Sequence, residues 1–204
     1  YKNYLEHQNR LLSNRTSDDK TNLDLTYIIL GHRNISVSLA SLTNMGVKNT
    51  DINVVTEKPL ENKVSRYKTI SEAVECLDDD KVLFFLNSGD SITNDTVKMF
   101  AKSDSEADLT YCDTDRVDVK KRRVSPHFLP DWNPELQYTT GYVFTGVKCK
   151  TELLKENAIK ASTIAGLVTE LWIKSPQMLI KHLPYTLIQR TVNKDATDKC
   201  LEDI

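Results

Sequence analysis

The sequence predicts an α/β fold with a mixed, mostly parallel central sheet flanked by helices, and three observations carry that prediction. Short apolar runs alternate with amphipathic stretches from Leu25 to Asp115, in the order β-α-β-α-β-α-β. One run, Val82 to Leu86, is apolar throughout, as suits a strand buried on both faces, and stops abruptly at Asn87, Ser88, Gly89 and Asp90. Another, Leu109 to Cys112, delivers Asp113, Asp115 and Asp118 at its end. Ligands of open α/β sheets sit just beyond the carboxyl ends of such strands. Two exits carrying carboxylates therefore predict a place for a metal ion and the phosphates it neutralises. Asn, Gly and Asp also make ordinary turns, but the two clusters together in one chain order favour a site.

Taken in order, Tyr1 to Leu12 carries a weak helical pattern, and Ser13 to Asn22 is polar throughout and reads as a linker. Leu25 to Leu30 is a strand ended by Gly31, and Ser36 to Met45 a helix stopped by Gly46. Ile52 to Val55 is a second strand. Val64 to Leu77 reads as a second helix, with Ile70, Ala73, Val74 and Leu77 on one face. Thr93 to Ala101 is a third helix, capped by Thr93 or Asn94. Beyond Asp118 the order changes. Val119 to Val124 suggests an irregular strand or hairpin, and the prolines of Ser125 to Pro134 forbid regular helix there. Tyr142 to Val147 is a strand, Thr151 to Asn157 and Thr163 to Lys174 are helices, and Met178 to His182 and Leu187 to Thr191 are closing strands. A polar tail follows from Asn193.

Composition narrows the function classes. A chain of 204 residues is most simply one main domain, here 23–192 between the N-terminal helix with its linker (1–22) and the tail (193–204). With 27 basic against 29 acidic residues, nothing suggests a nucleic-acid surface. The basic run Lys120 to Arg123 reads as a solvated hairpin tip. No apolar run is long enough to span a bilayer. Four scattered cysteines without His at ligand spacing argue against a zinc site or disulfide framework. These features, with a polar N-terminus that resembles no signal peptide, fit a reducing, cytoplasmic setting. A chain that begins at Tyr1 is expected to be a segment of a longer protein.

The segment ADLTYCDTDRVD, followed by KKRRVSPHFLPDWNPELQYTTGYVF, resembles a subgroup of the family 2 glycosyltransferases, which have the GT-A fold. In that subgroup a Tyr-Ser-Asp-Glu-Asp strand leads, after a basic hairpin, into a Lys-Pro-Asp-Trp-Asn-Pro-Asp-Leu loop. Tyr111 to Asp115 and Pro130 to Leu136 match it nearly residue for residue. LTYIILGHRNISVSLASL is similar to the first strand and helix of such enzymes, and IKHLPYTLIQR to their closing strand. Tyr4 to Arg10 resembles the helix that precedes this domain in longer members. The resemblance implies transfer of a sugar from a nucleotide-diphosphate donor to a growing glycan, with Mg2+ or Mn2+ offsetting the leaving diphosphate and a general base at the acceptor. It assigns Glu57, Asn87, Asp90, Asp113 and Asp115 to the donor, Asp90 to the metal, and Asp131 and Trp132 to the acceptor. Trp132 is expected to stack on sugar faces.

Three departures from the family pattern fall on the chemistry. Only Glu57 stands where two acidic residues usually follow the second strand. The metal-binding Asp-X-Asp is replaced by Asn87, Ser88 and Gly89, which leaves Asp90 alone. The late helix places Val168 at the position of the base, and Glu170, the remaining candidate, is turned roughly 200° away from it. An alternative function is therefore a degenerate GT-A module that binds a glycan or a neighbouring domain. A phosphoacceptor receiver domain is set aside, because Leu30 to Arg33 supply no acidic pair.

Overall fold

The computed structural model describes residues 1–16, 25–61, 63–102, 106–118 and 120–191. Most of the expected linker and all of the expected tail lie outside the described residues. In chain order the elements are α1 (Lys2–Thr16), β1 (Leu25–Leu30), α2 (Ile35–Asn44), β2 (Ile52–Val55), β3 (Ser65–Tyr67), α3 (Ile70–Glu75), β4 (Val82–Asn87), β5 (Ser91–Ile92), α4 (Asn94–Lys102), β6 (Leu109–Val117), β7 (Arg123–His127), α5 (Pro134–Thr140), β8 (Val147–Lys150), α6 (Thr151–Glu156), α7 (Ile164–Lys174) and β9 (Ile180–Thr191).

The strands form one sheet in the order β3-β2-β1-β4-β8-β6-β9-β5, with β7 paired to β6. β3, β2, β1 and β4 run parallel, as does the pair β6 and β9, while β8 lies antiparallel between β4 and β6. Successive side chains of a strand point to opposite faces, and each face has its own core. Ile28, Leu83, Phe85, Leu109 and Tyr111 join Leu167, Val168 and Leu171 of α7 on one face. Tyr27, Ile29, Phe84 and Leu86 join Leu42 of α2, Phe100 of α4 and Leu12 of α1 on the other. This two-sided burial explains the unbroken apolar runs of β1 and β4.

Several elements differ from the sequence expectation, each for a local reason. Val64 to Leu77 is not one helix. The Thr69 side chain accepts from Glu72 N (3.1 Å) while the Glu72 carboxylate accepts from Lys68 N (2.7 Å). This reciprocal cap starts α3 at Ile70 and leaves Ser65 to Tyr67 to pair with β2. β6 continues past Cys112 to Val117 because β9 supplies a partner along its whole length, so Asp113 and Asp115 lie within the strand and not beyond it. β7 joins the end of the strand or hairpin expected over Val119 to Val124 to the first three residues of the expected loop, Ser125 to His127. Its Pro126 is tolerated because β7 pairs on one side only. Pro134 opens α5, where its missing N–H costs nothing, and the Asn133 side chain caps that helix by accepting from Leu136 N (2.9 Å). The two closing strands are one bulged strand, β9.

The strand expected over Tyr142 to Val147 begins only at Val147. Gly146, at φ 66°, makes the turn that admits β8 between β4 and β6. A Cβ there would approach Ile188 Cγ1 to 2.6 Å and Cys112 Sγ to 3.1 Å. Gly146→Ala thus combines left-handed backbone strain with overpacking and is expected to destabilise the fold by about 2–4 kcal/mol. Thermal unfolding monitored by circular dichroism should show the lower midpoint, and an unchanged midpoint would contradict this role.

Candidate functional site

The exit of β4 is a stitched turn. Ser88 N donates to Leu30 O of β1 (2.8 Å), which sets the turn beside the exit of β1. Gly89, at φ 93°, donates its N–H to Ser38 Oγ of α2 (2.9 Å), and that hydroxyl donates onward to Asp90 O (2.6 Å). Thr191 Oγ1, at the end of β9, donates to Gly89 O (2.6 Å). Asn87 Nδ2 donates to Phe144 O (2.9 Å), and Thr145 Oγ1 accepts from Asn87 N (3.3 Å) while donating to Asp90 Oδ2 (2.6 Å). Four separate elements of the chain thus fix residues 87–90. Above them opens a cleft of about 190 Å³ lined by Asn34, Asn87, Ser88, Gly89, Asp90, Phe144, Arg190 and Thr191.

The electrostatics of the cleft rest on two groups. Asp90 is only 6% exposed. Burial pushes its carboxyl up to about 6, against the opposing pull of the Thr145 hydroxyl and Arg190. The Arg190 guanidinium lies 4.5 Å from the centre of the Phe144 ring. Burial holds its pKa below the usual arginine range; Asp90 opposes that shift and Arg116 adds to it. Among the described residues Arg190 makes no ion pair, and a half-buried guanidinium of this kind is a ready partner for an anion. Arg190 and Phe144 were not assigned roles by the sequence. The only signal for Arg190 was the likeness of its strand to a closing strand that ends in arginine.

The two β6 carboxylates are committed elsewhere. Asp113 Oδ1 accepts from Leu129 N (2.8 Å) and lies 2.8 Å from His182 Nε2. The imidazole stacks on Tyr111, with centroids 4.9 Å apart, and its Nδ1 lies 3.3 Å from Asp131 Oδ1. Burial opposes charge on His182, but hydrogen bonds and charge from Asp113 and then Asp131 outweigh it and raise its pKa. Tyr111 adds a bond from its hydroxyl to Pro130 O (2.6 Å), and Tyr142 Oη accepts from Asn133 N (2.9 Å). Asp113 therefore anchors the PDWNP loop. Asp131 is exposed at the tip of that loop, and Trp132 is half-buried, 6.3 Å from the Tyr142 ring. His182 is the pin of this loop.

Asp115 faces α1. Its Oδ2 accepts from Tyr1 Oη and from Arg123 Nε (2.5 Å), and Arg123 Nη2 also donates to Thr186 O (2.6 Å). Gln8 Oε1 accepts from Thr186 N (2.9 Å). α1 is thereby fastened over the bulge between β6 and β9. Arg123, read as part of a solvated tip, is instead only partly exposed. The same holds of neither Arg122, which pairs with Asp118 on the surface (2.7 Å), nor Lys120.

The remaining candidates lie apart from the cleft lining. Glu57 is exposed after β2. The Glu170 carboxylate accepts from Lys160 N and Ala161 N (3.0 Å each) and pairs with Lys174 (2.7 Å), which braces the turn before α7. Val168, at the expected base position, is buried in the core. The donor set around Asp90 does not make a divalent-cation site. The cleft lining holds no second carboxylate, Asp90 Oδ2 is taken by a hydroxyl, and a guanidinium shares the cleft. Among the described residues no three His, Cys, Asp or Glu side chains gather into a metal-binding group. No helix among them is long and apolar enough to cross a membrane.

The sequence matches no family model and no curated protein. Solved structures do match. S. aureus TarS, residues 1–349, superposes with a TM-score of 0.54 at 18% identity over 82% of this chain and 60% of that one. Its complex with UDP-GlcNAc gives 0.58 at 17% identity over 83% and 59%, and its complex with UDP gives 0.54 at 18% over 83% and 60%. The chain thus spans about 60% of the length of these TarS chains. The likeness shows the fold: a mixed, mostly parallel sheet flanked by helices, of the GT-A nucleotide-sugar transferase type.

The buried carboxyl of Asp90 has a consequence for stability. Its proton is held more tightly in the folded chain than in the unfolded one, where the ordinary value is 3.8. The folded state therefore binds more protons between pH 3.8 and about 6, and stability falls as pH rises through that window. Asp90→Asn removes the ionisable group and keeps an acceptor for Thr145. The variant is expected to be more stable than the parent by about 1–3 kcal/mol at pH 7, with the gap closing towards pH 4. Urea unfolding at both pH values checks this, and a variant less stable at pH 7 would refute it.

Proposed function

We propose that this chain is a glycosyltransferase domain of the family 2 type. It holds a nucleotide-diphosphate sugar in the cleft at the β4 exit and passes the sugar to a growing glycan, surface-attached or protein-linked. One observation carries the reading. The cleft at the carboxyl ends of β1 and β4, where α/β sheets take their ligands, is lined by the half-buried Arg190, which makes no ion pair among the described residues. The fold adds support, since the similar S. aureus TarS chains were crystallised with UDP and with UDP-GlcNAc. Asn87 and Asp90 sit where the donor would lie. The rim formed by Asp131 and Trp132 is the proposed acceptor side, with the ring offering an apolar face to a sugar. A second reading, a degenerate module that binds donor or glycan without transfer, is favoured by the commitment of Glu170 to the turn before α7.

Calorimetric titration of the chain with UDP and several UDP-sugars, with and without Mn2+, tests the proposal. Saturable one-to-one binding is expected for at least one nucleotide sugar, and no binding to any of them under either condition would end it. Transfer of labelled sugar to glycan acceptors then separates the two readings. Turnover that disappears in Asp90→Ala supports the transferase, whereas binding without turnover supports the module.

A further inference from the structure

We infer that the cleft neutralises its diphosphate with two arginines, Arg190 and Arg116, in place of a divalent cation, so that nucleotide binding is independent of Mg2+ and Mn2+. The inference rests on the nucleotide-sugar reading and concerns the charge balance of that same site. Arg116 of β6 and Arg190 of β9 are register partners on adjacent parallel strands, and partners in register project to the same face. The charge of Arg116 depresses the Arg190 pKa, and both depress that of the His127 imidazole, whose own burial is the larger cause. His127 lies edge-on to Phe144 (6.0 Å), the ring that carries Arg190. Arg116 and His127 thus lie beside Phe144 and Arg190, the two of these residues that line the cleft.

Like charges set opposite one another on neighbouring strands are destabilising, and the chain pairs its nearby basic side chains elsewhere. Arg123 is paired with Asp115 and Arg122 with Asp118. The side chains of Arg116 and Arg190 make no hydrogen bond or ion pair among the described residues. The nearest buried carboxylate of the cleft, Asp90, is turned to Thr145. One carboxylate, Asp90, acts on Arg190 without a hydrogen bond to it; two guanidiniums against one carboxylate suit a dianionic ligand, and guanidinium forks match phosphate oxygens in geometry as well as charge. A dication at Asp90 would share the cleft with Arg190 and be repelled by it.

Calorimetry of the chain with UDP-GlcNAc, UDP and inorganic pyrophosphate, in EDTA and then in excess Mg2+ or Mn2+, tests the inference. The expected result is a Kd that changes by less than about threefold with metal, and that weakens by at least about tenfold in Arg190→Gln and in Arg116→Gln. Arg190→Lys, which keeps the charge but loses the fork, should fall between. Thermal unfolding establishes that each variant is folded, and the metal comparison on the parent chain needs no variant. Binding that tightens more than about tenfold with metal, or that ignores both glutamine substitutions, overturns the inference and leaves the donor-binding reading standing. Failure to bind any of the three ligands under any condition removes both.

Discussion

β6 is paired along its nine residues by β9 on one side and, in two stretches, by β8 and then β7 on the other. Such pairing satisfies the backbone of a buried strand, but it also carries Asp113 and Asp115 out of water. A buried carboxylate is tolerated only when its oxygens are hydrogen-bonded or paired. Asp113 therefore takes His182 and the N–H of Leu129, while Asp115 takes Tyr1 and Arg123, both on Oδ2, and its Oδ1 has no hydrogen-bond partner among the described residues. One bond set anchors the PDWNP loop and the other fastens α1. The acidic run of this strand is the scaffold from which both sides of the site are hung.

The β4 exit follows a different logic. Its backbone is held by hydroxyl groups from three separate parts of the chain, Ser38, Thr145 and Thr191. Short neutral donors position the turn without adding charge, so the electrostatic character of the cleft is left to Asp90 and Arg190. The first is a carboxyl weakened by burial and the second a guanidinium with no ion pair among the described residues. Part of the folding energy is given up to hold a buried acid there.

Strand positions in the first half of the chain were legible because β1, β2 and β4 are buried on both faces, and apolar content alone marks such strands. The α2 and α7 helices were legible from their periodicity and from the stops and caps that flank them. The β4 exit was also legible, since Asn87 and Asp90 do line the cleft. Val64 to Leu77 misled because apolar spacing alone does not reveal where a helix begins, which Thr69 and Glu72 decide through a cap. Asp113 and Asp115 misled in a more instructive way. Their carboxylates carry the same chemical signature whether they face a ligand or a buried tie, and only the partner's position distinguishes the two.

The positions of β1, β2, β4, α2 and α7, the burial of those strands on both faces and the end of the sheet that carries a cleft were determined by the sequence alone. Each depends on local periodicity and on residues adjacent in the chain. The charge of the cleft was decided only by tertiary structure. Arg190 meets Phe144 across 46 residues of chain, and Arg116 meets Arg190 across a strand pairing that no local pattern encodes. The same is true of Asp115, whose partner Tyr1 lies at the far end of the sequence. Coulomb interactions and hydrogen bonds are set by distance in space, and that distance exists only once the sheet has brought these residues together.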